Sequence, residues 1–374
     1  METKFWELKK NPEAAIGEAA ELIRRGEIVA FPTETVYGLG ADGLNGAAVE
    51  KIFAAKGRPG DNPLILHIAD TEQILPLTTG LSENARALME TFWPGPLTIV
   101  VPRSEIIPDG VTAGLETVAV RMPSHPVAAA LIRAAGCPIA APSANVSGKP
   151  SPTNAQDVAE DMTGKIAGIL DGGNCGIGVE STVVDTTSPV PTILRPGGIT
   201  REMLEERLGV VEVDPALNGD PTLRPKAPGM KYRHYAPKAP LYLYEGAQAP
   251  ERLVEAALRA QKQGLHMGVL CDDRVKVRLE GSLRRGHTLE ILSWGEGKPD
   301  LAEHLYELLR DFDRLAPEMI IGMGVDEKGL GLAVMNRLRK AAGYQILLAE
   351  EDRITVRSGK EFPEFLLVTE EQDL

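Results

Sequence analysis

Lys56 and Arg58 stand one residue apart in the sequence, and this pair of cations could hold an anion. They follow the polar segment Pro32–Tyr37 in a chain whose formal net charge is −13. Lysine supplies a mobile point charge, whereas the planar guanidinium of arginine can bind two oxygens at once. We expect both side chains on one side of a short extended segment, where they form a local anion site. An isolated pair of this kind is more often a solvated basic turn.

The segment Pro32–Tyr37 is dense in polar side chains at the point where a buried strand, Glu27–Phe31, ends. In an open α/β sheet, loops at strand ends are the usual place for ligand contacts. The hydroxyls of Thr33, Thr35 and Tyr37 could instead be satisfied by the nearby backbone. Both interpretations stay open at this point.

Two further loops carry polar groups and glycines. Residues 139–151 run from a strand into a loop of hydroxyl, amide and glycine groups, which can donate to phosphate or carboxylate oxygens. Residues 170–182 are glycine-rich, which allows a ligand to approach the backbone but also suits a tight hairpin. Arg121 and Arg195 add cations at strand ends, although each could form a surface ion pair. Together these loops suit a ligand with several anionic groups.

The sequence has no signature of a nucleophile with its base, and its histidines have no metal-binding spacing. Catalysis would then depend on positioning and charge neutralisation. Asn62 and His67 flank the apolar run Pro63–Leu66, so His67 lies at the far end of a predicted strand. A lone histidine is more often structural than catalytic.

Gly38–Gly43 matches the dinucleotide pattern GxGxxG, and Asp61 lies at about the right distance for a ribose contact. We reject this interpretation because the first glycine of a true fingerprint closes a strand and opens a helix. Here Pro32 ends the strand, and residues 33–37 intervene. Side chains and turns must therefore hold any nucleotide.

Length and composition favour a two-domain cytoplasmic enzyme. A chain of 374 residues is long for one hydrophobic core. The excess of 53 acidic over 40 basic residues argues against broad binding to nucleic acid or anionic membranes. Cys137, Cys175 and Cys271 are odd in number and widely spaced, so neither a disulfide framework nor a zinc site is indicated. No signal segment or apolar run long enough to span a membrane is found.

Hydrophobic periodicity places an α/β domain in residues 1–215. A helix begins after the cap and first-turn signal Asn11-Pro12, and short apolar runs then alternate with helical stretches. Residues 216–240 form a proline-rich, basic linker. In residues 241–345, strands and helices alternate as in a smaller parallel α/β domain. Residues 346–374 form an acidic extension.

Several motifs, in order along the chain, resemble the YrdC/YwlC family, the L-threonylcarbamoyladenylate synthases, in its long two-domain form. A proline-rich segment around residues 228–237 looks like the linker of that form. The motifs are Pro32–Leu39, Lys56-Gly-Arg58-Pro, Asn62-Pro-Leu-Ile, Trp93–Thr98, Ala141–Asn145 and Glu180–Asp185.

The resemblance implies a YrdC-like open twisted mixed sheet with helices, followed by a Rossmann-like parallel α/β domain. It implies condensation of L-threonine, bicarbonate and ATP to threonylcarbamoyl-AMP and pyrophosphate, with Mg²⁺ bound through the ATP phosphates. The product supplies N6-threonylcarbamoyladenosine at position 37 of tRNA. The expected partners are downstream threonylcarbamoyl-transfer proteins, with tRNA bound only indirectly or weakly and no membrane.

The resemblance also assigns roles to individual residues, and the linker residues would close over the ATP pocket as a lid. Catalysis falls to Lys56, Arg58, Ser143 and Asn145. Threonine would be held by Thr35, His67, Arg121, Ala141 and Ser181, with its carboxylate on Arg121. ATP would be held by Arg58, Asn62, Thr117, Ser143, Ser151, Arg195, Tyr232, His234 and Tyr235.

Two alternatives come from other classes. An RNA-binding module without catalysis could use the Lys/Arg loops and the linker, but the net charge weighs against it. A carbamoyl-transferring maturation enzyme would carry additional zinc-finger and acylphosphatase-like regions, and nothing in the sequence resembles either.

Overall fold

The computed structural model describes residues 2–218, 235–351 and 353–368. Most of the predicted linker, including Tyr232 and His234, lies outside the described residues, so the predicted lid stays a prediction. The chain divides into two compact units, which comprise Met1–Ser147 with Ser151–Tyr232, and Gly148–Pro150 with Arg233–Leu374.

The first unit is built on one mixed sheet of eleven strands in the order β1-β8-β2-β3-β7-β4-β6-β5-β9-β10-β11. Neighbouring strands are parallel in five pairs, such as β4 with β6, and antiparallel in five, such as β5 with β6. The strands are β1 Lys4–Glu7, β2 Val29–Phe31, β3 Gly38–Asp42, β4 Ile65–His67, β5 Leu97–Pro102, β6 Thr117–Arg121, β7 Ile139–Ala140, β8 Gly168–Asp171, β9 Thr182–Asp185, β10 Thr192–Arg195 and β11 Glu212–Val213.

All the α-helices described in this unit, except the short helix Asp109–Thr112, begin at a side-chain cap that the sequence supplies. Asn11 accepts a hydrogen bond from Ala14 N at 3.4 Å, and Ser82 accepts one from Ala85 N at 3.1 Å. Two 3₁₀ segments, Thr71–Leu77 and Pro215–Asn218, complete the unit. The helices are α1 Pro12–Arg24, α2 Gly46–Lys56, α3 Glu83–Phe92, α4 Asp109–Thr112, α5 Pro126–Ala135, α6 Ala155–Met162 and α7 Arg201–Leu208.

The glycine motif Gly38–Gly43 contains the whole of strand β3 and opens no helix, as the rejection of the dinucleotide fingerprint expected. Its glycines serve packing. A Cβ atom on Gly40 would lie 2.7 Å from a ring carbon of Phe31, and one on Gly38 would lie 3.1 Å from the same ring. The strand itself was not predicted, because glycine gives no apolar alternation to detect.

The second unit holds a six-stranded sheet in the order β14-β13-β15-β12-β16-β17, and the first five of these strands are mutually parallel. This confirms the predicted parallel α/β architecture. A 3₁₀ segment, Glu364–Leu366, follows the last strand. The elements are β12 Leu241–Glu245, α8 Ala249–Gln263, β13 Met267–Cys271, α9 Asp273–Ser282, β14 Leu289–Ser293, α10 Lys298–Leu315, β15 Met319–Met323, α11 Gly331–Ala341, β16 Ile346–Ala349 and β17 Ile354–Ser358.

The predicted acidic extension, 346–374, starts too early. Strand β16 pairs in parallel with β12, and β17 pairs antiparallel with β16, so both belong to the sheet of the second unit. Tyr244 also donates a hydrogen bond to Leu366 O at 2.8 Å. The acidic side chains in this region obscured a short apolar strand, Ile346–Ala349. None of the described helices is long and apolar enough to cross a membrane.

Candidate active site

Two separate loops converge on the segment between β2 and β3. Ala144 N donates to Tyr37 O at 2.9 Å, and Ile177 N donates to Glu34 O at 2.9 Å. The Tyr37 hydroxyl donates to Gly173 O at 2.7 Å, and burial raises the pKa of that hydroxyl. The two polar loops predicted from the sequence are therefore fixed against the Pro32–Tyr37 segment by hydrogen bonds.

The sequence allowed the threonine hydroxyls of this segment either to contact a ligand or to be satisfied by nearby backbone, and the structure shows a different environment for each. Thr33 Oγ1 donates to Val36 O at 2.6 Å, which is local backbone satisfaction. Thr35 Oγ1 lies 2.8 Å from Thr33 Oγ1 and accepts a hydrogen bond from Arg121 Nη1 at 2.9 Å. Of Thr33 and Thr35, only Thr35 therefore contacts a charged group from a remote part of the sequence.

Strand register brings three predicted or motif residues into one row. His67 on β4 pairs with Arg121 on β6, and Arg121 pairs with Thr98 on β5. Thr98 Oγ1 lies 2.7 Å from Ser181 Oγ. All four side chains are buried. The predicted threonine-binding residues His67, Arg121 and Ser181 thus lie together at one edge of the central strands.

Arg121 is a fixed cation in this row, with a side chain only 4% exposed. Its Nη1 donates to Thr35 and its Nε donates to Gly95 O at 3.4 Å. Its Nη2 lies 2.9 Å from Glu34 Oε1. Burial by itself raises the pKa of Glu34. The charge and contact of Arg121 lower it by more, and the pKa therefore lies below its ordinary value.

His67 is buried in the same row, and its Nδ1 lies 3.2 Å from Ile65 O. Burial, with a smaller contribution from the Arg121 charge, lowers the pKa of His67 to about 3. The ring is therefore neutral at physiological pH and can donate or accept a hydrogen bond without adding charge.

Lys56 joins helix α2 to the loop that follows β7. Its Nζ donates to Ser143 O at 2.5 Å and to Asn145 O at 2.6 Å, and the side chain is buried. Ser143 Oγ donates to Asn145 Oδ1 at 2.5 Å. Three of the four predicted catalytic residues therefore form one cluster.

The predicted extended segment around Lys56 is wrong. Lys56 is the last residue of α2, and Gly57 caps the helix in the left-handed conformation, with φ of 60°. Arg58 points to different partners: its Nη2 donates to Asn62 O at 2.9 Å and to Pro63 O at 3.2 Å. The sequence Lys-Gly-Arg is a helix end, which places its two cations on different carbonyl groups.

Three of the predicted ATP-binding residues described in the first unit are buried, and two of them contact Ser181 or its neighbour Glu180. Ser151 Oγ donates to Glu180 Oε1 at 2.7 Å. Arg195 donates to the backbone and hydroxyl oxygens of Ser181. Asn62 is buried, and no described residue makes a hydrogen bond to its Oδ1.

Three other predicted residues have distinct positions. Ala141 N donates to Ile65 O at 3.0 Å, which places it beside the strand of His67. Thr117 opens β6, at the opposite end of that strand from Arg121. Tyr235 belongs to the second unit, where its ring stacks on Tyr306 with centroids 5.1 Å apart.

Sequence reasoning gave no role to Glu34, Thr98 or Glu180, although all three lie within the motifs that it quoted. Glu34 pairs with Arg121, Thr98 contacts Ser181 and Glu180 accepts from Ser151. A polar residue inside an apolar strand, as at Thr98, was the available signal. Its partner is 83 residues away, so sequence spacing could not identify it.

Two family models match most of the chain. One, for the Sua5/YciO/YrdC family and described as telomere recombination, matches residues 21–197. The other, the C-terminal domain of threonylcarbamoyl-AMP synthase, matches residues 199–343. A threonylcarbamoyl-AMP synthase of Pyrococcus abyssi is 50% identical over 331 residues, which cover 88% of this chain and 94% of that protein.

The chain belongs to the threonylcarbamoyl-AMP synthase family. Its activity is accordingly that of a transferase acting on ATP. A second synthase, from Bacillus subtilis, is 49% identical and covers 93% of this chain and 100% of its own length. A putative threonylcarbamoyl-AMP synthase of Mycobacterium tuberculosis matches only 52% of this chain, at 38% identity and 89% of its own length.

Solved structures agree with this membership in the synthase family. The crystal structure of P. abyssi Sua5 complexed with L-threonine superposes with a TM-score of 0.85 at 47% identity, covering 93% of this chain and 99% of that one. A variant of the same protein with a histidine and a tyrosine replaced by alanine gives a TM-score of 0.86, covering 93% and 98%.

Proposed function

We propose that the chain condenses L-threonine, bicarbonate and ATP into threonylcarbamoyl-AMP and pyrophosphate, for N6-threonylcarbamoyladenosine formation in tRNA. The observation that carries this proposal is the buried Arg121, held by Thr35 and placed in register with His67 and Thr98. A fixed guanidinium among hydroxyl and imidazole groups suits an amino acid that has a carboxylate and a hydroxyl.

Threonine would bind with its carboxylate on Arg121. Thr35, His67 and Ser181 line the same position and offer partners for its polar groups, while Ala141 provides an apolar surface beside them. The neutral state of His67 supports this assignment, because an imidazolium would compete with Arg121 for the carboxylate.

ATP would bind beside threonine, with Arg195 linking the two sites through Ser181. The proposed contacts exploit fixed cations and hydroxyl groups, and the linker residues would complete the pocket. The proposed ATP-binding residues are Arg58, Asn62, Thr117, Ser143, Ser151, Arg195, Tyr232, His234 and Tyr235.

The reaction would proceed in two steps. The neutral amine of threonine attacks bicarbonate, or CO₂ derived from it, to give N-carboxythreonine. A carbamate oxygen then attacks the α-phosphorus of ATP in line, and pyrophosphate leaves. Negative charge gathers in both steps, and Lys56 and Arg58 are fixed before the reaction, so they can stabilise that charge without rearranging. Ser143 and Asn145 would orient bicarbonate and the phosphates.

Mg²⁺ would enter with ATP and neutralise charge on the phosphate oxygens. Among the described residues there is no group of three His, Cys, Asp or Glu side chains that could hold a metal ion. Phosphate oxygens and water are the usual ligands of Mg²⁺ in such reactions, so the donor set of this chain is compatible with a metal that arrives on the substrate.

The alternative of an RNA-binding module is less favourable. The net charge of −13 would repel an RNA backbone. We propose that tRNA is reached through downstream transfer proteins, and that the enzyme acts in the cytoplasm.

The decisive experiment measures pyrophosphate release from ATP by the purified chain, with threonine and bicarbonate omitted one at a time. Release that requires both substrates is the expected result. If no combination supports release, the synthase activity is refuted, and tRNA binding measured across a range of salt concentrations becomes the next test.

A further inference from the structure

Glu34 is a buried carboxylate that the proposed roles above leave unused. Its side chain is 14% exposed, and Oε1 lies 2.9 Å from Arg121 Nη2. Arg121 contacts the carboxylate, and backbone groups at Glu34 and Ser124 also favour its charged form, but no described residue donates to either oxygen with full hydrogen-bond geometry. Glu34 O also accepts from Ile177 N, which fixes the backbone at this position. The carboxylate therefore retains acceptor capacity at a site that water reaches poorly.

Arg121 does not depend on Glu34 alone for its position. Thr35 and Gly95 O accept hydrogen bonds from its Nη1 and Nε, so the guanidinium remains oriented when another anion shares it. The carboxylate and the ammonium group of an α-amino acid are attached to the same carbon atom. An amino acid whose carboxylate binds Arg121 therefore brings its ammonium group close to Glu34.

Substrate binding would also change the basicity of Glu34. Burial disfavours the charged carboxylate of Glu34, and the charge of Arg121 offsets that effect. A substrate carboxylate would also be neutralised by the charge of Arg121. Less of that charge would then offset the effect of burial on Glu34, which would raise the pKa of Glu34. The ammonium group of threonine would oppose that rise with its own charge, and transfer of its proton to Glu34 would remove both charges from a site that water reaches poorly.

The other titratable groups that interact with Glu34 add no charge at neutral pH. Burial lowers the pKa of His67 to about 3 and also lowers the pKa of His125 at the start of α5. Burial raises the pKa of the Cys175 thiol to about 12. Arg121 is therefore the charge that governs Glu34.

We propose that Glu34 is the general base that removes a proton from the α-ammonium group of threonine. One N–H bond breaks, its electron pair remains on nitrogen, and the proton forms an O–H bond with Glu34. The neutral amine is then ready to attack the carbon of bicarbonate or CO₂. This inference rests on the proposed function, because it requires the threonine carboxylate on Arg121.

The test is Glu34→Gln, assayed by pyrophosphate release at saturating ATP and bicarbonate between pH 6 and 9.5. Glutamine keeps an oxygen that can accept from Arg121 but cannot take the proton. We expect kcat at pH 7 to fall by about 10²-fold or more, the usual scale of general-base catalysis, with little change in the KM for threonine. The ratio of variant to wild-type kcat should rise with pH, because free threonine then supplies its own neutral amine.

Asp70→Asn is the matched control, since Asp70 also lies 2.9 Å from an arginine nitrogen, on Arg133, but in an exposed pair. It should match the wild type at every pH. Glu34→Asp, which keeps the base one methylene shorter, should retain more activity than Glu34→Gln and should serve as the second variant if the glutamine protein does not fold.

Two outcomes would overturn the base assignment alone. An unchanged kcat in Glu34→Gln would exclude a base at this position. A raised KM with a pH-independent kcat ratio would mean that Glu34 only positions Arg121. If the wild type releases pyrophosphate without needing threonine, the proposed function itself fails, and the assignment of Glu34 fails with it.

Discussion

Arg195 donates two hydrogen bonds to Ser181, from Nε to the backbone oxygen at 3.0 Å and from Nη2 to Oγ at 3.0 Å. Ser181 Oγ also lies 2.7 Å from Thr98 Oγ1. Family resemblance assigns Arg195 to ATP and Ser181 to threonine. The contact therefore joins the two proposed substrate sites directly, without an intervening side chain.

Ser181→Ala should weaken the apparent affinity for both threonine and ATP, because Arg195 loses the hydroxyl that orients it. A double-mutant cycle with Arg195→Lys, based on kcat/KM for ATP, should give a coupling energy of about 1–2 kcal/mol, within the range for contacting residues. Ser188→Ala, at an exposed position, is the control and should leave both parameters unchanged. Additive effects of the two substitutions would show that the contact is not used in ATP binding.

Lys56→Ala should reduce turnover by about 10²-fold or more, because a preorganised cation is lost from the site. It should also lower the free energy of unfolding by about 1–3 kcal/mol, since Ser143 O and Asn145 O lose their shared buried donor. Steady-state kinetics and urea denaturation measure the two effects. The control is Lys51→Ala on the same helix, whose lysine makes a half-exposed pair with Glu27. Normal turnover in Lys56→Ala would refute the catalytic role.

The stability of the first unit should fall between pH 6.5 and 3 through His67. The folded-state pKa of His67 is about 3, against an ordinary value of 6.5. The unfolded chain therefore binds more protons than the folded protein in this range. The contribution of His67 to the free energy of unfolding is complete above pH 6.5 and is lost as the pH falls toward 3. The slope from this group reaches about 1.4 kcal/mol per pH unit. Denaturation of the wild type and of His67→Gln at several pH values measures the difference.

The difference in slope isolates His67 from the carboxylates that also titrate in acid. If wild type and His67→Gln lose stability in parallel below pH 6.5, the buried neutral state assigned to His67 is wrong.

A fragment of residues 1–218 should fold but turn over slowly. It contains all eleven strands of the first sheet. It lacks the predicted linker residues Tyr232, His234 and Tyr235, so positioning of ATP should suffer, with turnover lower by up to about 10²-fold. Circular dichroism and a cooperative thermal transition would establish folding. Full activity of the folded fragment would exclude a lid function for the linker.

Local sequence signals predicted the elements that carry most of the site. The apolar runs near Ile65–His67, Leu97–Pro102 and Thr117–Arg121 formed strands, and the Asn11 cap began a helix. These predictions succeeded because side-chain periodicity and capping act within a few residues. Strand β3 was missed because its glycines are selected by the ring of Phe31, which belongs to a different strand.

The sequence by itself determined the two α/β units, the polar loops at strand ends and, through its motifs, the family. Only the tertiary structure decided that Lys56 ends a helix, that Arg121 pairs with Glu34, and that His67, Arg121 and Thr98 share one row. The physical reason is that strand register and ion pairing join residues tens of positions apart. Those contacts are set by the packing of the whole sheet, which leaves no local pattern in the chain.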